Sequence, residues 1–159
     1  MMYEFRPMAA ADLPIVKHWL GMPHVMHWWG KPDEQFALVR DDLDEPAMDQ
    51  FVVLAADRPF AYLQSDRLAD WNFNFGMQPI GTRGIDQFIG EPDMVSRGHG
   101  SAFIRSFIDR LLAEGAPRVI TDPDPRNLRA VRAYEKAGFR KEGTFETTEG
   151  PALLMVRDT

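Results

Sequence analysis

The residues Asp93-Met94-Val95-Ser96-Arg97-Gly98-His99-Gly100-Ser101 run without interruption into an apolar-periodic segment. Phe103, Ile104, Phe107, Ile108, Leu111 and Leu112 recur at three- and four-residue spacing, which predicts an amphipathic helix over 102–114. The loop therefore opens a helix. Gly98 and Gly100 lack a Cβ, so the backbone there can turn sharply and bring its N–H groups close to an anion. Those N–H groups and the positive end of the helix dipole would converge on one spot, an arrangement that holds phosphates without a metal. Arg97 adds positive charge beside it.

The segments around this junction alternate in kind. Tyr3 and Phe5 alternate with polar residues in a first strand that Pro7 ends. Leu13, Val16, Trp19 and Leu20 share one face of a helix over 10–20, with Pro14 in its first turn and Gly21 and Pro23 closing it. Residues 22–30, which contain His24, His27, Trp28 and Trp29, read as an aromatic-rich loop. A second helix is expected over 32–43, begun by Pro32 and acidic residues. The β-rich runs 50–55 and 60–64 make a hairpin across 56–59. Residues 66–80, with Asp70, form an excursion without period. A strand over 82–89 precedes the glycine loop, and Gly115-Ala116-Pro117 ends the helix that follows it. Residues 118–121 are a short buried strand, and Asp122-Pro123-Asp124-Pro125 bends the chain before a helix over 126–137 that Gly138 closes. Strands over 140–147 and 152–157 pair across 148–151. This order describes a mixed α/β (α+β) domain around one central sheet.

A chain of 159 residues with 45% hydrophobic residues is expected to form a single domain over 1–159. It has no cysteine, which excludes disulfides, thiolate nucleophiles and Cys-based metal sites. His24 and His27 lack a third ligand, so no metal is expected. A net charge of −6 argues against a nucleic-acid partner and suits a small cationic one. No window is long and apolar enough for a membrane span, and residues 1–7 carry no signal-like pattern, so a cytoplasmic location is the expectation. Both a monomer and a homodimer fit.

The pairing of Arg97-Gly98-His99-Gly100 with Asn127 and Tyr134-Glu135-Lys136-Ala137-Gly138-Phe139 resembles the acetyl-CoA-binding half of the GNAT N-acetyltransferases. Arg83-Gly84-Ile85-Asp86-Gln87 and Thr121-Asp122-Pro123 further resemble the aminoglycoside 6'-N-acetyltransferases, and this similarity covers 83–157 closely. The family has Gln or Arg three positions before the first loop glycine, where this chain has Val95; that position acts mainly through its backbone. The resemblance implies a sheet with two neighbouring strands splayed apart, the pantetheine arm between them, and acetyl-CoA as co-substrate held by Ser96, Arg97, Gly98, His99, Gly100, Ser101 and Asn127. It also implies that backbone N–H groups near Gln87 and Phe88 polarise the thioester carbonyl.

An amine attacking a thioester needs a held acyl donor, a neutral amine, a stabilised oxyanion and a proton for the leaving thiolate. Period-two alternation puts Asp86 on the opposite sheet face from Ile85 and Gln87, and a carboxylate within a central strand is uncommon because its burial is costly. The resemblance makes Asp86 the proposed base and Tyr134 the proposed acid. It places Asp122, Asp70 and Asp86 against substrate ammonium groups, while one of Trp28 and Trp29 is expected to wall the acceptor site and the other to anchor the core. The implied reaction is acetylation of a primary amine on a cationic small molecule, an aminoglycoside at its 6'-amino group, with antibiotic resistance as the consequence. The alternatives are a GNAT enzyme acting on a hydroxylamine, polyamine or protein N-terminus, and a non-catalytic acetyl-CoA or drug-binding protein.

Overall fold

The computed structural model describes residues 2–67 and 75–159. Its strands are β1 (Tyr3–Pro7), β2 (Met48–Ala55), β3 (Arg58–Arg67), β4 (Arg83–Ile89), β5 (Arg118–Thr121), β6 (Arg140–Thr147) and β7 (Gly150–Asp158). Its helices are α1 (Leu13–Leu20), α2 (Pro23–Trp29), α3 (Pro32–Asp42), α4 (His99–Ala113) and α5 (Leu128–Lys136). The strand order is β1-β2-β3-β4-β5-β7-β6, mostly antiparallel with β4 and β5 parallel, which is the mixed α/β architecture the sequence implies. The chain forms two compact units, Met1–Ser65 with Gln87–Val95 and Asp66–Asp86 with Ser96–Thr159, so that β4 contributes to both.

In the first unit, Val16, Trp19 and Leu20 of α1 are buried with Val25, Val39, Val52, Leu54, Tyr62 and Phe88. Burial of this many large apolar side chains, each stabilising by about 1.5–3 kcal/mol, is what fastens the short helices to the strands. Residues 10–12 form a 3-10 turn ahead of α1, and Asp12 accepts the Ala9 N–H and pairs with Arg6 at 2.7 Å. A two-residue turn, Ala56-Asp57, joins β2 to β3 with both residues at positive φ (48° and 66°), the geometry that matches the twist of a tight hairpin. β3 continues to Arg67 rather than ending at 64, which takes Asp66 out of the expected excursion and onto a strand. Residues 22–30 are not a loop: Pro23 opens α2, which Gly30 ends at φ +94° with its N–H bonded to the Met26 carbonyl at 2.9 Å. Two turns of helix are too short to establish a visible period, and the paired tryptophans obscured it.

In the second unit, the β4–β5 pairing consists of Arg83↔Val119 and Gly84↔Ile120. The next link is a side chain, with the Thr121 hydroxyl donating to the Ile85 carbonyl at 3.1 Å, so the two strands part after Gly84 as the splayed arrangement requires. Phe103, Ile104, Phe107, Ile108 and Leu111 of α4 are buried, as their spacing predicts, and the helix begins at His99, three residues earlier than its apolar period shows. α5 starts at Leu128 rather than 126, because the Asp124 carboxylate takes the Arg126 N–H at 2.9 Å and holds that residue in a turn. Gly138 at φ +101° stops α5, where the Phe139 N–H returns to the Tyr134 carbonyl and Arg157 bonds the Ala137 carbonyl. β7 pairs along β6 from Thr147↔Gly150, and Ile120, Leu154 and Val156 form a core with Phe75 and Phe145 against it.

Candidate active site

The glycine loop enters from a fixed point. Arg58 grips Asp93 through two hydrogen bonds of 2.8 and 2.9 Å, just before the chain turns through Ser96 at φ +61° and Gly98 at φ +84°. A Cβ at Gly98 would meet nothing within 4 Å, so glycine is needed there for its backbone conformation and not for space. Gly98 is also the residue that precedes α4, and no side chain caps that helix. The first turn of a helix has N–H groups without intrahelical partners. In α4, a helix of 15 residues, these groups open onto a loop whose Ser96, Arg97 and Gly98 are exposed. Ser101 does not cap them, since its hydroxyl donates to the Gly98 carbonyl at 3.3 Å. The arrangement fits a pyrophosphate: a helix start without a side-chain bond from its N-cap, the positive end of a long dipole and the exposed Arg97 guanidinium.

The acidic side chains lie in the second unit. Asp86 follows Gly84 by two residues on β4 and Asp122 follows Ile120 by two, so the Gly84↔Ile120 register starts both from the same face of the sheet. A third carboxylate joins them. Asp66 sits over Gly84 so closely that a methyl group there would overlap its Oδ1 atom. Burial pushes the Asp66 carboxyl up, while the Arg83 guanidinium opposes that rise. Asp122 is exposed to solvent as a residue, yet protein atoms are dense around its carboxyl; this desolvation, with the charges of Asp66 and Glu149, pushes its carboxyl up to about 6. Asp124 is the opposite case: Arg126 bonds it at 2.7 Å and holds its carboxyl below the usual range, which removes it from the set. Asp70 lies outside the described residues. Asp66 and Glu149 escaped the sequence reading; Asp66 had one signal, the period-two succession Tyr62, Gln64, Asp66, which carries β3 past its apolar stretch.

The remaining expected site residues are distributed as follows. Tyr134 is buried on α5 with its ring 5.5 Å from Phe139. Asn127 precedes α5 and accepts the Ala130 N–H at 3.2 Å through its side-chain oxygen, which leaves the amide nitrogen as the donor end. Gln87 is half-buried and Phe88 buried, Phe88 stacking on Tyr62 with centroids 5.4 Å apart. The two tryptophans differ in their surroundings. Trp29 packs edge-on against Phe88 at 5.0 Å and Tyr62 at 6.1 Å, while Trp28 is 39% exposed with the His27 ring edge-on to it at 4.5 Å. His24 donates from Nε2 to the Ile89 carbonyl at 2.8 Å, a structural bond that ties α2 to the end of β4. Among the described residues no group of three His, Asp or Glu side chains could hold a metal ion, and no helix is long and apolar enough to cross a membrane.

A family model described as an acetyltransferase (GNAT) domain matches residues 8–147. The chain belongs to the GNAT acetyltransferases. It is an acyltransferase, and acetyl-CoA is its co-substrate. Among its relatives, the aminoglycoside N(6')-acetyltransferase type 1 of Klebsiella pneumoniae is 32% identical over 162 residues, spanning 96% of this chain and 81% of the relative. A kanamycin resistance protein of Rhizobium radiobacter is 42% identical over 78 residues, which cover 48% of this chain and 72% of the relative. The structure of AAC(6')-Ib in complex with paromomycin and acetyl-CoA superposes with a TM-score of 0.89 at 29% identity, covering 99% of this chain and 94% of the other. This GNAT fold accounts for the splayed β4–β5 pair and for the uncapped start of α4.

Proposed function

We propose that this chain, as one acetyltransferase domain, moves the acetyl group of acetyl-CoA to the 6'-amino group of an aminoglycoside and thereby confers resistance. The observation that carries the acceptor class is the set Asp66, Asp122 and Glu149, in which the charges of Asp66 and Glu149 oppose the ionisation of Asp122 and so favour a ligand that brings positive charge. A polyamine sugar supplies several ammonium groups, whereas a neutral or anionic acceptor would leave the carboxylates opposed. The names of the relatives support the same class.

Each side chain then has a task. The N–H groups of 98–101, with Ser96, Arg97 and His99, hold the pyrophosphate, and the Asn127 amide holds the pantetheine arm. Acetyl-CoA supplies an acyl group activated as a thioester. The backbone N–H groups of Gln87 and Phe88 stabilise the negative charge that develops on the carbonyl oxygen. The Asp86 carboxylate takes the proton from the acceptor amine, directly or through water, and the Tyr134 hydroxyl gives a proton to the departing sulfur. Asp70 and Asp122 receive other ammonium groups, and Trp28 or Trp29 supplies an aromatic wall. Asp86→Asn tests this scheme: acetyl-CoA affinity should be kept while CoA release with kanamycin falls to background. Undiminished turnover would remove Asp86 from the role of base.

A further inference from the structure

Asp66 is used by none of the steps above, yet its carboxylate occupies the space that the absent side chain of Gly84 leaves on β4. That placement puts it on the face carrying Asp86, at the point where the register brings Ile120 level with Gly84 and leads on to Asp122. We propose that Asp66 is a positioning residue that controls the charge of Asp122, so that capture of a polycationic acceptor by Asp122 is coupled to release of a proton. The proposal rests on the acceptor class given above.

The coupling is electrostatic and local. Burial raises the Asp66 carboxyl above its ordinary value, and its own backbone N–H and the Arg83 guanidinium act against that rise, in the direction that keeps it ionised. The Asp66 charge then opposes the ionisation of Asp122, second only to the crowding of that side chain, and Glu149 from the turn between β6 and β7 adds to the opposition. Asp86, two residues beyond Gly84, is the further acidic group on this part of β4. Asp122 therefore holds a proton near pH 6 when no cation is present, and an ammonium group placed against it reverses the balance and expels that proton. A carboxylate acting alone in water would be ionised throughout this range and would release nothing.

Two measurements test this. In the free full-length protein, the carboxyl carbon of Asp122, followed by nuclear magnetic resonance as pH is varied, should titrate near pH 6. The midpoint should fall in Asp66→Asn and in Gly84→Ala, which displaces the Asp66 carboxylate, and should return in Asp66→Glu. A midpoint unmoved by Asp66→Asn would overturn the proposal. With kanamycin as the probe, KM should rise about tenfold between pH 8 and pH 5, as expected for loss of one carboxylate charge, and calorimetry at pH 6 in buffers of different ionisation enthalpy should detect a released proton. Both signals should shrink in Asp66→Asn; if they persist unchanged, Asp66 does not act through Asp122. Failure of the wild-type enzyme to turn over kanamycin would instead reject the acceptor assignment, and the Asp122 midpoint would still decide the role of Asp66.

Discussion

Tyr134 illustrates how burial and function coincide in one side chain. Its ring is part of the α5 core against Phe139, so position alone explains its apolar surroundings. The scheme asks its hydroxyl for one proton transfer, and Tyr134→Phe keeps the ring while removing that proton. The substitution should lower kcat by about 100-fold, the ordinary scale for a single acid–base group, with acetyl-CoA affinity little changed. An unchanged kcat would return Tyr134 to packing alone. Gly90 is a residue whose role is wholly steric: a Cβ there would overlap the indole of Trp19, which is fully buried. Gly90→Ala should destabilise the protein by about 1–3 kcal/mol in denaturant unfolding, as overpacking does.

Among the elements, α4 connects stability to cofactor binding. Its apolar face, visible in the sequence as Phe103, Ile104, Phe107, Ile108 and Leu111, fixes the helix, and the loop before it leaves the N-terminal N–H groups without a side-chain cap. Gly100→Val should abolish acetyl-CoA binding in calorimetry and leave the circular dichroism spectrum unchanged, because the affected turn is at the helix start and not in its buried face. Retained affinity would mean that the pyrophosphate is held elsewhere. Elements of this kind were legible because their periods run for three turns or more. α2 was not: seven residues with adjacent Trp28 and Trp29 show no period, and the helix is specified instead by Pro23 at its start, Gly30 at its end and the tertiary bond from His24 to Ile89. β3 was read too short because its apolar stretch stops at Leu63, while pairing carries the strand on through Ser65, Asp66 and Arg67. The place of Asp86 on a strand face follows from period-two alternation, whereas the approach of Asp66 to Gly84 depends on another strand and shows in no single segment.

At the scale of the whole molecule, charge links stability to function. In the folded state Asp122 binds its proton up to about pH 6, whereas in the unfolded chain it would lose it near pH 4. Between those values the folded state holds more protons, so this group's contribution to stability falls as pH rises through the window and the penalty is complete above it. Asp122→Asn should accordingly raise Tm at pH 8 relative to the parent, with the difference closing toward pH 4, while raising KM for the acceptor more than it lowers kcat. Asp124 and Asp158 have the opposite sign: bonded by Arg126 and by Arg118 and Arg140, their carboxyls are held low, and their contributions are lost only as pH falls below the ordinary carboxylate range. The net charge of −6 acts in the same direction as the acidic site, so acceptor affinity should weaken as salt is added.

The central claim is tested most directly by giving the purified protein acetyl-CoA with kanamycin, and in parallel with spermidine and with a peptide amine, measuring CoA release and locating the new acetyl group on the product by nuclear magnetic resonance. The account predicts rapid release with kanamycin and an acetyl group on the 6'-nitrogen. Release confined to spermidine or the peptide, or acetylation of kanamycin at another nitrogen, would contradict it.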